Sequence, residues 1–222
     1  DPQFWLGLLQ IVWIDIILGG DNAVVIALAC RRLPPPQQRV AILAGTGAAI
    51  ALRVAMATVV TLLLEISWLK LAGSGLLLWI AIKLLAPQDG EGGDGASIGS
   101  LWQAIRTIVI ADFVMSLDNV IGIAAAAKGS VLLLTLGLMI SIPLIVFSST
   151  VILRFMGRYP WIVTLGGALL GYIAGEMAVT DRAVTGWIAD HAPVLHTIGP
   201  VLGIVFVVVV GKVLAARITR QV

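Results

Sequence analysis

The 222-residue sequence has few charged residues and a single cysteine, and both shortages limit what the chain can be. Only 12% of its residues are charged and 59% are hydrophobic, whereas soluble domains are about one quarter charged and about half apolar. The lone Cys30 excludes an internal disulfide and the cysteine-rich patterns of metal sites. The cations lie at the ends of apolar segments, which does not suggest a nucleic-acid patch. We therefore expect the lipid bilayer to be the partner of this chain.

Seven apolar segments have the length of membrane spans or come close to it. A helix rises about 1.5 Å per residue, so roughly 20 residues cross a hydrocarbon core of about 30 Å. Polar breaks separate the segments, and the three consecutive prolines at 34–36 predict a firm loop over 31–39. The predicted spans are 4–30, 40–64, 70–86, 101–127, 131–153, 161–178 and 197–216.

One pattern of polar residues occurs twice inside these spans. It consists of an aspartate, five further residues, a second aspartate and an asparagine. Carboxylates within a membrane-length apolar segment are costly, and by default they indicate a functional site. The repetition of so costly a pattern argues against chance. The two copies, which we call the first and second motifs, are Asp15, Asp21 and Asn22, and Asp112, Asp118 and Asn119.

The two motifs indicate an internal duplication of three spans each. Because three is an odd number, the second repeat enters the membrane from the opposite side, as in many secondary transporters whose site lies at the midplane. The predicted fold class is an all-α membrane protein with seven transmembrane helices, formed by two inverted three-helix repeats and a seventh helix. Its predicted parts are the first repeat at 1–86, an acidic, Gly-rich cytoplasmic linker at 87–100, the second repeat at 101–178, an extracytoplasmic loop at 179–195, and the last helix with a cytoplasmic tail at 196–222.

The distribution of lysine and arginine predicts the orientation of the chain. Ten of these cations lie on one side of the predicted spans and three on the other, with the buried Arg53 left out of the count. By the positive-inside rule, the N-terminus lies outside and the C-terminus in the cytoplasm. Five of the seven tryptophans fall at or just beyond the predicted ends of spans, where interfacial tryptophan is enriched.

Depth within the membrane predicts that the two motifs meet. Asp15 lies about ten residues past Trp5, which places it about 15 Å deep, near the bilayer centre. Asp112 lies the same distance past Trp102, counted from the other face. The inverted repeat therefore brings both motifs to one level.

The first motif contains a glycine pair that favours a break in its helix. At about 100° per residue, Asn22 lies almost over Asp15, whereas Asp21 points about 120° away. A break at Gly19 and Gly20 would let both carboxylates and nearby carbonyl groups face one cavity, as in ion sites at broken helices. The second motif has no such glycine pair.

The motifs together supply four carboxylates and two amides, an oxygen-rich set of the kind that Mg²⁺, Ca²⁺ and Mn²⁺ prefer. Four unpaired carboxylates at this depth would repel one another and take up protons. A divalent cation would offset the repulsion, and protons could replace it when it leaves. Met115 is the only sulfur ligand inside either motif, which argues against Cu(I). The residues thus predict a site that exchanges a divalent cation for protons.

Two other interpretations of the acids remain open. The aspartates could form buried ion pairs that hold the helices together, with Arg53 as the obvious charge partner. They could also serve an intramembrane aspartyl protease, because 19–21 loosely resembles a Gly-x-Gly-Asp signature. Such an enzyme would need one aspartate on each of two helices, not a duplicated pair with an asparagine.

Three glycines spaced by four residues lie on the sixth predicted span, at Gly167, Gly171 and Gly175. Small residues at this spacing let helices approach closely in a membrane. We expect them to pack inside the molecule in preference to forming a dimer interface.

The repeated motif, the seven spans and the Gly-Gly-Asp-Asn sequence at 19–22 resemble the TerC family of bacterial integral membrane proteins over nearly the whole chain. The resemblance is to the short branch, without cytoplasmic regulatory domains. It implies a transporter of the plasma membrane, not an enzyme, which exports manganese from the cytoplasm and in some members supplies Mn²⁺ to secreted proteins at the secretion machinery. The implied metal ligands are Asp15, Asp21, Asn22, Asp112, Asp118 and Asn119.

Overall fold

The computed structural model describes residues 2–86, 98–127 and 130–219, and all regular structure in these ranges is α-helical. The all-α prediction is therefore confirmed for these residues. Most of the predicted linker, 87–97, lies outside them. The helices are α1 (Pro2–Leu18), α2 (Gly20–Cys30), α3 (Pro35–Glu65), α4 (Leu69–Leu85), α5 (Ile98–Ala127), α6 (Val131–Arg158), α7 (Trp161–Thr180), α8 (Thr185–His191) and α9 (Leu195–Thr219).

Five of these helices are long and apolar enough to cross a membrane, judged on the part of the chain that the structure describes. They are α3, α5, α6, α7 and α9, and the bent pair α1 and α2 adds a sixth if it forms one span. Each of the seven predicted segments corresponds to one helix or to this pair. The remaining segment is α4, which has 17 residues. Seven spans in an inverted repeat therefore remain a prediction.

Two predicted loops contain more helix than expected. The prediction of a loop over 31–39 is wrong from residue 35 onward, because α3 begins at Pro35. Proline is tolerated in the first turn of a helix, where its missing N–H would have no partner in any case. The predicted loop at 179–195 includes α8, a short helix on which Trp187 and His191 stack with ring centroids 5.2 Å apart.

The chain divides into two compact units, and each takes helices from both predicted repeats. The first comprises Asp1–Glu65 and Ser97–Arg154, and therefore contains α1, α2, α3, α5 and α6 up to Arg154. The second comprises Ile66–Ala96 and Phe155–Val222, and contains α4, α7, α8 and α9. The first unit holds both motifs.

In the first unit, α1 and α2 run antiparallel to α5. Leu8 lies in a buried apolar cluster with Ala127, whereas Ile26 lies in a second cluster with Ile108. Residue numbers thus rise along one helix pair as they fall along the other. This direction is the one expected when the first spans of two inverted repeats meet.

In the second unit, glycines let α7 and α9 pack backbone to backbone. A methyl group on Gly171 would overlap the carbonyl of Gly203, and one on Gly175 would overlap the carbonyl of Gly199. Gly167 lies against the side chain of Leu85 on α4. These contacts agree with the packing predicted for the three glycines, because close approach between membrane helices needs small residues.

The buried carboxylate of Asp181 links the end of α7 to the start of α4. It accepts backbone hydrogen bonds from Trp68 at 3.1 Å, Leu71 at 3.0 Å and Ala183 at 2.7 Å. Trp68 has a left-handed backbone, with φ of 73°. Burial alone would raise the pKa of Asp181, but the N–H donors of Ala183, Leu71 and Trp68 together hold it below its ordinary value. Asp181 therefore acts as a cap for α4.

Candidate functional site

The break in the first motif falls at the predicted glycine pair. Helix α1 ends at Leu18, α2 begins at Gly20, and the two axes differ by 52°. Gly19 has φ of −100° and ψ of 2°, and a methyl group there would overlap the carbonyl oxygen of Asp15. Gly20 has open space around it. Gly19 is thus the glycine that the bend requires.

Side chains of both motifs replace a hydrogen bond that the break removes. In an unbroken helix the backbone N–H of Asn22 would bond to the carbonyl of Leu18, four residues earlier. Here that N–H donates to Oδ1 of Asp21 at 2.8 Å, while the Leu18 carbonyl accepts from Nδ2 of Asn119 at 3.2 Å. An aspartate of the first motif and the asparagine of the second therefore satisfy the two separated backbone groups.

The first aspartates of the two motifs meet at one arginine. On α3, Nη1 of Arg53 pairs with Oδ1 of Asp15, and Nη2 pairs with Oδ1 of Asp112. The Nε of Arg53 donates to Oδ2 of Asp112 at 3.1 Å and to Oγ of Ser116 at 2.9 Å. Arg53 is 2% exposed, Asp15 is fully buried and Asp112 is 6% exposed. We call Arg53, Asp15 and Asp112 the charged triad; its formal charge is −1.

Helix α5 carries the second motif without a break. Its turns run continuously through 112–119, and Ser116 Oγ lies 3.3 Å from Oδ2 of Asp112, four residues earlier. This continuity follows from the sequence, because the second motif has Met115 and Ser116 in place of a glycine pair. The two motifs thus have the same residue spacing, but the helix is broken in the first motif and continuous in the second.

Several buried polar atoms near the triad have no hydrogen-bond partner among the residues that the structure describes. They are Oδ2 of Asp15, both side-chain polar atoms of Asn22, and Oγ1 of Thr46. Asn22 is 3% exposed and Thr46 is 2% exposed. Buried polar atoms in proteins are nearly always hydrogen bonded, so each exception calls for an explanation such as a ligand or a water.

The helix register places Thr46 level with Asn22. Arg53 meets Asp15, and α3 runs antiparallel to α2, as the shared burial of Ile26 and Ile42 indicates. Thr46 lies seven residues before Arg53, and Asn22 lies seven residues after Asp15. Because the helices are antiparallel, both steps lead to the same level. Thr46 was not among the predicted site residues. Its spacing of seven from the buried arginine, which puts both on one helix face, is the signal that would have found it.

The six predicted ligands do not gather into one cluster in this structure. Asp15 and Asp112 come together through Arg53, while Asp21 is half-buried and Asp118 is exposed. Within 2–86, 98–127 and 130–219, no group of three or more His, Cys, Asp or Glu side chains is placed to hold a metal ion. The ligand set thus remains a prediction, and of its members Asp15 and Asp112 are the two that contact one arginine.

Comparisons with known proteins agree with the membrane character of the chain. The sequence model of the integral membrane protein TerC family matches residues 1–221. The chain is 42% identical over 208 residues to the membrane protein YjbE of Bacillus subtilis, covering 94% of both chains. It is 27% identical to the membrane protein YceF of the same organism over 187 residues, which cover 80% of this chain and 72% of YceF.

A longer relative occurs in Escherichia coli. The chain is 29% identical over 184 residues to the inner membrane protein YoaE, covering 74% of this chain and 35% of YoaE. The match thus spans about a third of that protein. No solved structure matches the chain.

Proposed function

This chain belongs to the TerC family of integral membrane proteins, and from that premise we propose that it is a secondary transporter exporting divalent cations from the cytoplasm, with Mn²⁺ as the substrate. It is a multi-pass membrane protein with five or six candidate spans among the described residues. A bacterial relative is an inner membrane protein. The proposal places the chain in the plasma membrane with the N-terminus outside and the C-terminus in the cytoplasm, as the distribution of lysine and arginine indicates.

The observation that carries this proposal is the meeting of Asp15 and Asp112. Each is a buried carboxylate in an apolar helix, each is the first residue of a motif, and one guanidinium holds them together beside a broken helix. Intramembrane carboxylates mark ion pathways, and broken helices supply ion ligands at the midplane. Carboxylate oxygens also suit Mn²⁺, a cation that binds oxygen ligands.

We propose that the remaining motif residues join the site when the cation binds. At the break, Asp21 accepts a hydrogen bond from the N–H of Asn22, and Asn119 donates one to the carbonyl of Leu18. On binding, each side chain would exchange this hydrogen bond for a contact with the cation. The unpartnered amide of Asn22 already lies inside the protein. With Asp118, these groups complete the proposed oxygen-rich set around Asp15 and Asp112.

The proposed architecture is two inverted three-helix repeats followed by a seventh helix. The antiparallel course of α1 and α5, which bring Asp15 and Asp112 together, supports it. In such folds the substrate site lies between repeats that rock against each other. Exchange of the metal for protons would keep the emptied carboxylates from carrying unpaired charge.

The geometry disfavours an intramembrane aspartyl protease. In that mechanism two carboxylates share one proton across a short distance. Here the guanidinium of Arg53 lies between Asp15 and Asp112 and contacts both. The proposed function therefore contains no enzymatic step.

The test is Mn²⁺ flux in proteoliposomes under an imposed pH gradient. Wild type is compared with Asp21→Asn and Asp118→Asn, and Asp190→Asn, in an exposed position on α8, serves as the control. We expect flux in wild type and in the control, and none in the two motif variants. Mg²⁺, Ca²⁺ and Fe²⁺ measured in parallel define the substrate.

Absence of Mn²⁺ flux from folded wild type would refute autonomous Mn²⁺ transport. An accessory protein that supplies Mn²⁺ only together with the secretion machinery would give this result, because the liposomes contain no partner.

A further inference from the structure

The side chain of Arg53 lies where two buried carboxylates would hold a cation. We propose that Arg53 is a tethered competitor of the transported cation: its guanidinium occupies the position between Asp15 and Asp112 that the divalent cation takes, and the two exchange during transport. This inference rests on the proposed function, because it assigns the charged triad to the transport site.

The contacts of Arg53 leave a metal little to bind while the guanidinium is in place. Both oxygens of Asp112 and Oδ1 of Asp15 accept hydrogen bonds from Arg53. Of the four oxygens of these two carboxylates, Oδ2 of Asp15 is the one without a hydrogen-bond partner among the residues that the structure describes. A divalent cation bound between Oδ1 of Asp15 and Oδ1 of Asp112 would lie beside the buried positive charge of Arg53. Like charges repel strongly where water is excluded. Cation and guanidinium therefore exclude each other.

The structure offers an acceptor for the displaced guanidinium on the same helix. Ser116 Oγ accepts from Nε at 2.9 Å while the guanidinium still contacts both aspartates, so this bond belongs to the undisplaced position. Thr46, with an unpartnered hydroxyl, lies seven residues back on the same helix, about 10 Å along the axis. Long side chains in helices lean toward the N-terminus, so an extended Arg53 points toward Thr46.

Exchange of this kind solves a problem of charge at the site. Without any cation, Asp15 and Asp112 would be two bare carboxylates in a buried position, which is strongly unfavourable. With Arg53 present, the triad has a formal charge of −1 when the substrate leaves. Arginine stays charged at every physiological pH, so it can compete whether or not a proton is available. The departing cation thus competes for the two carboxylates with the guanidinium of Arg53, which is covalently attached and always present.

The decisive experiment combines Arg53→Ala with added guanidinium. Binding of Mn²⁺ to purified protein in detergent is followed by the electron paramagnetic resonance signal of free Mn²⁺. We expect Arg53→Ala to bind Mn²⁺ about tenfold or more tightly than wild type, because the tethered competitor is gone. Sub-denaturing guanidinium chloride at constant ionic strength should then weaken binding to the variant competitively, and leave wild type unchanged.

Arg106→Ala is the matched control, because Arg106 lies in an exposed position on α5. It should bind Mn²⁺ as wild type does, with no response to guanidinium. A purely structural role of Arg53 would lower thermal stability without making guanidinium and Mn²⁺ competitors. If Arg53→Ala does not yield folded protein, Arg53→Gln is measured in its place, with the same expected gain in affinity.

Two outcomes overturn the inference, and they differ. If wild type transports Mn²⁺ but a folded Arg53 variant binds it equally or more weakly, or guanidinium does not compete, the competition is refuted and the proposed function stands. If wild type neither binds nor transports Mn²⁺, the proposed function fails and the inference fails with it.

Discussion

Replacement of Arg53 by methionine should destabilise the protein far more than neutralisation of the whole triad. The arginine is 2% exposed and donates hydrogen bonds to Asp15, Asp112 and Ser116. Removal of one partner from a buried ion pair leaves uncompensated charge and costs about 3–5 kcal/mol. Replacement of a complete buried pair or triad by well-packed apolar residues of similar volume is often neutral, or stabilising by about 1–4 kcal/mol.

Thermal unfolding in detergent, followed by tryptophan fluorescence, measures the difference. For a chain of this length 1 kcal/mol corresponds to about 2–4 °C, so Arg53→Met should lower the Tm by about 6–20 °C. The triple variant Asp15→Asn, Arg53→Met and Asp112→Asn leaves no buried charge but keeps two polar amides, so it should unfold close to wild type and well above Arg53→Met. We expect this triple variant to be folded and to carry no Mn²⁺, which separates the structural role of the triad from its function.

Arg106→Met controls for the loss of an arginine from a helix, since Arg106 is exposed on α5. Its Tm should match that of wild type. The reasoning is refuted if Arg53→Met unfolds at the wild-type temperature, or if the triple variant is as unstable as the single one. Either result would mean that burial of the charges does not determine the stability of the first unit.

Three further predictions follow from contacts of single residues. Gly19→Ala should reduce Mn²⁺ flux while Gly20→Ala leaves it unchanged, because only at Gly19 would a methyl group overlap the preceding turn. Asp181→Ala should cost about 1 kcal/mol of stability at neutral pH as a lost helix cap. Because its folded pKa is lowered, that contribution is present above the unfolded pKa of about 3.9 and is lost as the pH falls through the folded pKa, so unfolding curves of variant and wild type should converge in acid. Gly175→Ala should lower the Tm, because overlap of the new methyl group with α9 costs about 1–3 kcal/mol of stability. Gly75→Ala is the control: the space around Gly75 on α4 is open, so its Tm should be equal to that of wild type or slightly higher.

Each of these predictions has a result that would contradict it. Equal flux in the two glycine variants of the bend would mean that the bend does not depend on the missing side chain. A difference between Asp181→Ala and wild type that persists in acid would show that the carboxylate charge is not what caps α4. Equal stability of the α7 and α4 glycine variants would argue against backbone contact between α7 and α9.

The positions of the helices could be predicted because membrane spans are long apolar runs with polar ends. Each predicted segment corresponds to a helix or to the bent pair, and the bend falls at Gly19 and Gly20, where two glycines weaken the helix. The start of α3 could not be predicted from its prolines alone. Proline breaks a helix interior but suits a first turn, and only the surrounding structure decides which of the two applies at Pro35.

The approach of Asp15 and Asp112 could be predicted from the sequence, but the hydrogen bonds and ion pairs around them could not. Depth and spacing predicted that Asp15 and Asp112 approach each other, and Arg53 was the expected charge partner. That one arginine contacts both aspartates depends on the register of three helices, which no local pattern encodes. The same holds for the hydrogen bond from Asn119 to Leu18, which exists only because another helix passes the break.

The interleaving of the two units along the chain determines the order in which buried charges can be neutralised during synthesis. Residues 1–65 emerge first, but the first unit is complete only after 97–154 are made, with residues of the second unit in between. Arg53 follows Asp15 by 38 residues and precedes Asp112 by 59. Asp15 can therefore already pair with Arg53 in the first half of the chain, and Asp112 is made after the arginine that it contacts.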